Sequence, residues 1–137
     1  AVAETLAPFR ASGTLSRGML VKAGLRLALA RLGLDDRARL VDLDVPRVLV
    51  GRGLRPSLVA TRARTVTQAY AARLFDEDPE AVGLRWWSTL EASLINLTLF
   101  DRAEPQLSLD DVEQLTVVHP AVVEAAELLG LAIGRGP

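Results

Sequence analysis

The sequence predicts an α+β fold, and three segments carry the prediction. Thr61 to Phe75 places Val66, Tyr70 and Leu74 on one face at helical spacing. Gly83-Leu84-Arg85-Trp86-Trp87-Ser88 and Ile95-Asn96-Leu97-Thr98-Leu99-Phe100-Asp101-Arg102 read instead as two short strands. Pro120 to Leu129, followed by Gly130, carries the start and stop signals of another helix. No internal repeat or low-complexity segment interrupts the chain.

The remaining elements follow in order. Residues 1 to 7 read as the end of a helix closed by Pro8, and Ser12-Gly13-Thr14 as a loop. From Arg17 to Leu32 the signals compete. Val21, Leu25, Ala28 and Leu32 keep helical spacing, whereas Leu25, Leu27 and Leu29 alternate as in a strand. Length and alanine content favour a helix, with Gly33 as its stop. Arg39 to Leu43 reads as a buried strand, and Pro46 to Val50 as a short helix closed by Gly51-Arg52-Gly53. Thr61 is the expected cap of the long helix, and Asp76-Glu77-Asp78-Pro79 its end. Ser108-Leu109-Asp110-Asp111 resembles a helix start, with a capping serine and acids in the first turn.

Composition narrows the function classes. A chain of 137 residues is expected to form one domain. Half of the residues are apolar and 24% are charged, the balance of a soluble globular protein. A net charge of -1 gives no footprint for nucleic acid. The apolar runs fall far short of a bilayer span, and no signal peptide is visible. Without cysteine there are no disulfides or thiolate sites, and one histidine argues against zinc. A cytoplasmic protein is the simplest expectation. Lys22 is the single lysine among 16 cationic side chains, which points to a GC-rich coding sequence. The chain opens on Ala1, within a helical pattern, and the sequence is expected to lack the N-terminal part of the natural protein.

Most candidate motifs have an ordinary structural reading. Gly51-Arg52-Gly53 is too short for a phosphate-binding fingerprint and is read as a helix stop. His119, before Pro120, is read as a capping or surface residue. A helix pair over 109–115 and 120–129 would carry acids facing phosphate, so binding of nucleic acid through it is not expected. Arg62, Arg64 and Arg73 read as a solvated helix face.

The paired strands are different. Both tryptophans and one of 3 phenylalanines fall there, around one hydroxyl and one amide. A polar atom amid that much apolar surface needs a partner or a purpose. Strand alternation puts Leu84, Trp86 and Ser88 on one face and Arg85 and Trp87 on the other. On the second strand Asn96, Thr98 and Phe100 oppose Ile95, Leu97 and Leu99. Ser88 and Asn96 are thus candidates to line a polar pocket walled by an aromatic ring. The alternative is structural: Ser88 ends a strand and Asn96 satisfies nearby backbone. No histidine lies near Ser88 in sequence, so a hydrolase nucleophile is not supported. Glu4, at a helix end, reads by itself as a solvated acid.

Together, Ala1-Val2-Ala3-Glu4-Thr5-Leu6, Leu40-Val41-Asp42-Leu43, Thr65 to Phe75, Gly83 to Ser88 and Asn96 to Asp101 resemble the RES domain. The likeness spans roughly residues 1–103, within one RES-like domain over 1–137 that ends in a helical extension, 108–137. Glu4 falls at the family glutamate and Ser88 at the family serine. The family arginine, and an aromatic residue working with it, lie upstream of the glutamate, so the chain as given is expected to be inactive alone. The resemblance implies an ADP-ribosyltransferase-like mixed sheet with flanking helices. It also implies the toxin of a bacterial toxin–antitoxin pair that degrades NAD, the partner being an Xre-type antitoxin. NAD is then substrate, not cofactor. Glu4 would stabilise the oxocarbenium-like transition state as nicotinamide leaves. Ser88, Asn96 and Trp86 would hold the nicotinamide end, with Glu4 and Ser88 converging on one pocket. Hydrolysis, phosphorolysis and ADP-ribosyl transfer all remain open, as does a homodimer. The alternative is a non-catalytic interaction module derived from the same fold, acting through acidic helices or an apolar patch.

Overall fold

A computed structural model describes residues 1–61 and 63–134. In chain order the helices are α1 (Val2–Leu6), α2 (Pro46–Gly51), α3 (Pro56–Val59), α4 (Arg64–Glu77) and α5 (Pro120–Leu129). The strands are β1 (Thr14–Leu15), β2 (Val21–Lys22), β3 (Leu25–Arg26), β4 (Ala28–Leu34), β5 (Leu40–Asp42), β6 (Gly83–Trp87), β7 (Ile95–Leu99), β8 (Leu107–Gln114) and β9 (Ala132–Ile133). The α+β class is therefore as the sequence predicts. Among the described residues, no helix is long and apolar enough to cross a membrane. Contacts divide the chain into two compact units, Ala1–Gly33 with Leu109–Pro137, and Leu34–Ser108.

In the first unit, α1 packs on α5. Ala3 and Leu6 are buried on α1, and Val122, Ala125, Ala126 and Leu129 on α5, each set at helical spacing. Burying a side chain of leucine or valine size contributes on the order of 1.5–3 kcal/mol. His119 caps α5 as expected: its Nδ1 accepts the Ala121 N–H at 3.2 Å. Gly130 ends that helix with φ 68°. Pro8 does not stop the N-terminal helical path. It sits in the first turn of a tighter 3-10 segment, Ala7–Ser12, which ends at Gly13. β1 then pairs in parallel with β9.

Two expected helices are strands. Arg17–Leu32 forms a 3-10 turn followed by β2, β3 and most of β4. β2 and β3 make an antiparallel hairpin through Ala23 and Gly24, whose φ values are 51° and 79°. Positive φ at both turn residues matches strand twist and is incompatible with a continuing helix. Gly33 lies inside β4 and stops nothing. Ser108-Leu109-Asp110-Asp111 lies in β8, which pairs with β4. Most of β4 and β8 is exposed, so neither strand has the buried face that gives a period-two signal. The supposed helix pair over 109–115 and 120–129 is thus a strand and a helix.

The second unit holds the mixed sheet β5-β6-β7, parallel between β5 and β6 and antiparallel between β6 and β7. Its core contains Val41, Leu43, Leu49, Leu54, Val59, Leu74, Ala81 and Leu84, with Tyr70, Trp86, Trp87 and Phe100 packed against it. The expected register of α4 holds, with Leu74 buried and Val66 and Tyr70 half-buried. Its start differs. Thr61 Oγ1 accepts the Ala63 N–H at 3.2 Å, and the helix begins only at Arg64, without a side-chain cap. Arg64 is exposed and Arg73 pairs with Glu77 at 3.3 Å, while Arg62 lies outside the described residues.

The sheet is locked at two points. A Cβ on Gly83 would stand 2.5 Å from the Thr98 carbonyl oxygen, 3.0 Å from Leu99 Cδ2 and 3.1 Å from Leu40 Cδ2. At the other point the Arg102 guanidinium lies over the Phe75 ring, 3.6 Å from its centroid. It donates to the carbonyls of Phe75 at 2.8 Å and Pro79 at 2.7 Å. The guanidinium therefore satisfies the C-terminal end of α4 while stacking on its last aromatic ring. Phe75 meets Phe100 edge to face at 5.2 Å.

Two predictions follow from these locks. Gly83→Ala should lose about 1–3 kcal/mol in denaturant unfolding, because backbone must shift to admit the methyl group. A midpoint equal to wild type would contradict the close approach. Arg102→Lys keeps the charge but loses the planar stacking and the forked donation, and should cost about 1–3 kcal/mol in the same measurement. Equal stability would mean that charge alone holds the end of α4.

Candidate functional site

Strand pairing decides which side chains share a face. Trp86 pairs with Asn96, and Leu84 with both Val41 and Thr98. Residues directly opposite one another project to the same side. Leu84, Trp86 and Ser88 therefore share a face with Asn96 and Thr98. Arg85 and Trp87 take the other, with Leu97 and Ile95 opposite them. The register confirms the expected alternation on both strands.

Ser88 follows the last residue of β6 and is 2% exposed, the buried polar residue among the described ones. Its N–H donates to the Leu94 carbonyl at 2.8 Å and closes the loop between β6 and β7. Its Oγ accepts the Leu90 N–H at 3.1 Å. Such a serine turn shapes the backbone two residues on. Ser88 thus ends the strand, as the structural alternative holds, and also sits at the rim of the aromatic face.

Trp86 is half-buried against the core, and its indole Nε1–H donates to Thr98 Oγ1 at 3.0 Å. Asn96 is half-buried directly opposite. The structure therefore brings together three of the four predicted residues, Ser88, Trp86 and Asn96. Thr98 was missing from that set. Its role needs the antiparallel register, which places it diagonally across from Trp86, and strand alternation alone shows only its side. Glu4 belongs to the other unit, where it is exposed in the first turn of α1. A carboxylate there complements the positive end of the helix dipole.

The opposite face of the sheet is held by charge. Arg85 Nη1 lies 3.0 Å from each Asp42 carboxylate oxygen and 3.5 Å from Asp44 Oδ2. Arg85 is thus committed to aspartates on the side away from Ser88. Arg52 and Arg39 are likewise engaged by Asp78, Arg52 at 2.9 Å. Among the described residues, no group of His, Asp and Glu side chains is arranged to hold a metal ion.

The face offers one indole ring, one amide and two hydroxyls, a set suited to stacking and hydrogen bonding with a flat polar heterocycle. No curated protein and no solved structure matches the chain. The model of the RES domain matches residues 1–122, further than the 103 or so expected from sequence, and takes in Glu4, Trp86, Ser88 and Asn96. The match is consistent with an NAD-related role in a toxin–antitoxin pair, and it covers most of the 137 residues: the chain belongs to the RES domain family.

Proposed function

We propose that this chain is the NAD-degrading toxin of a bacterial toxin–antitoxin pair, acting in the cytoplasm and cleaving the nicotinamide–ribose bond. The observation that carries the reading is a buried serine at the rim of an indole–amide face, inside the segment that the RES domain matches, and we read it as the family serine. Trp86 offers a π surface for the nicotinamide ring, and Asn96 and Ser88 offer polar groups for its carboxamide. Glu4 serves as the carboxylate that stabilises charge developing on the ribose.

The chemistry suits this division of labour. The nicotinamide of NAD is a cationic ring and leaves as a neutral base, so its departure requires no general acid. Positive charge builds on the ribose in an oxocarbenium-like transition state. A fixed carboxylate is worth most at that moment, because it stabilises the transition state more than the ground state. Ser88 acts by positioning and is not a nucleophile. The acceptor of the ADP-ribose unit is water, phosphate or a protein side chain. An Xre-type antitoxin is the partner that restrains the activity.

The test is NAD consumption by the natural gene product, with and without substitutions. Glu4→Gln is nearly isosteric and exposed, so the fold should survive while NAD loss falls by about a hundredfold or more. Ser88→Ala should weaken NAD loss by a smaller factor. A Glu4→Gln variant that depletes NAD at the wild-type rate would remove the role of Glu4, and with it the main support for an enzyme. A wild-type gene product that leaves NAD intact would favour a non-catalytic interaction module.

A further inference from the structure

The indole of Trp86 has two anchors of different kinds. Its body packs against the core that includes Leu84, as Tyr70 and Ala71 also do. Its edge is held by one directional contact, the Nε1–H donated to Thr98 Oγ1 at 3.0 Å. An indole N–H is a donor only, so it takes its orientation from whichever acceptor lies in reach. The acceptor here is a β-branched strand residue with a restricted χ1, on the strand paired with β6 and in fixed register with it. Apolar packing of a flat ring is non-directional and tolerates rotation about its second side-chain torsion. The hydrogen bond removes that freedom.

We infer that Thr98 is a positioning residue that sets the plane of the Trp86 ring for a bound nicotinamide. The inference rests on the proposed NAD reading and deepens it. Thr98 touches no reacting atom; it acts through Trp86. Thr98 is exposed, with its hydroxyl directed to the indole, so its contribution to the core is small. Its effect should therefore appear in substrate affinity more than in stability. Ring orientation decides how well the indole overlaps a planar heterocycle, because stacked aromatic pairs depend on offset and angle.

The test uses the natural gene product and NAD. Thr98→Val keeps shape and strand propensity and deletes the acceptor. The Michaelis constant for NAD should rise about two- to tenfold, the range for one lost neutral hydrogen bond, with turnover changing less. Thr98→Ser restores an acceptor and should bring the constant back towards wild type. In a Trp86→Phe background, Thr98→Val should have no further effect, because Phe has no N–H to orient. A wild-type Michaelis constant in Thr98→Val would overturn the inference. So would equal impairment by Val and Ser, or full additivity with Trp86→Phe. Failure of the wild-type protein to consume NAD would instead strike the underlying reading, so the two failures are distinguishable.

Discussion

The approach of β6 to β7 at Gly83 is the constraint on which the face of the sheet depends. No side chain fits between Gly83 and the Thr98 carbonyl, where a Cβ would stand at 2.5 Å. The pairing is thereby fixed, and everything downstream of it follows in steps of two. A shift of one residue would turn Trp86 and Ser88 to the side now held by Arg85 and Trp87. With the observed register, Asn96 faces Trp86 and Thr98 reaches its indole. The parallel pairing of β6 with β5 brings Arg85 opposite Asp42, so the charged pair forms on the far side. One glycine therefore separates an aromatic polar face from an ion-paired one.

Arg102 secures the same end of the sheet. Chain leaving β7 passes through Phe100 and returns the Arg102 guanidinium to the Phe75 carbonyl of α4 and the Pro79 carbonyl just beyond it. The helix that packs Tyr70 against the core is thus tied to the strand that carries Asn96 and Thr98. Planarity matters here, because stacking on Phe75 and forked donation use the two properties in which arginine differs from lysine.

Sequence patterns were readable for most elements that bury a face, whereas the short α3 and β1 were missed although they bury Val59 and Leu15. β5, β6, α2, α4 and α5 each bury part of their surface and were legible from periodicity or from proline and glycine punctuation, and β7 was legible from its alternation although it buries no residue fully. β2, β3, β4 and β8 are mostly exposed, and they were misread as helices because alanine content and acid-rich caps spoke louder than a hidden pairing. Of the site, Ser88, Trp86 and Asn96 were legible because strand alternation sorts side chains before any register is known. Thr98 was not, since a diagonal contact across two strands depends on the register itself. Glu4 was legible only through family resemblance: a carboxylate in the first turn of a helix has an ordinary electrostatic explanation.

The central claim is that NAD meets the Trp86 face of the sheet. The two tryptophans project to opposite sides, which makes each indole N–H a reporter for one face. The most direct measurement is a proton–nitrogen NMR titration of the natural gene product with NAD, using Glu4→Gln to prevent turnover. Trp86→Phe assigns the two indole signals. The account predicts a saturable shift of the Trp86 signal, with Trp87 much less affected. A shift confined to Trp87, or none at either indole at NAD concentrations that saturate turnover in the wild type, would contradict it.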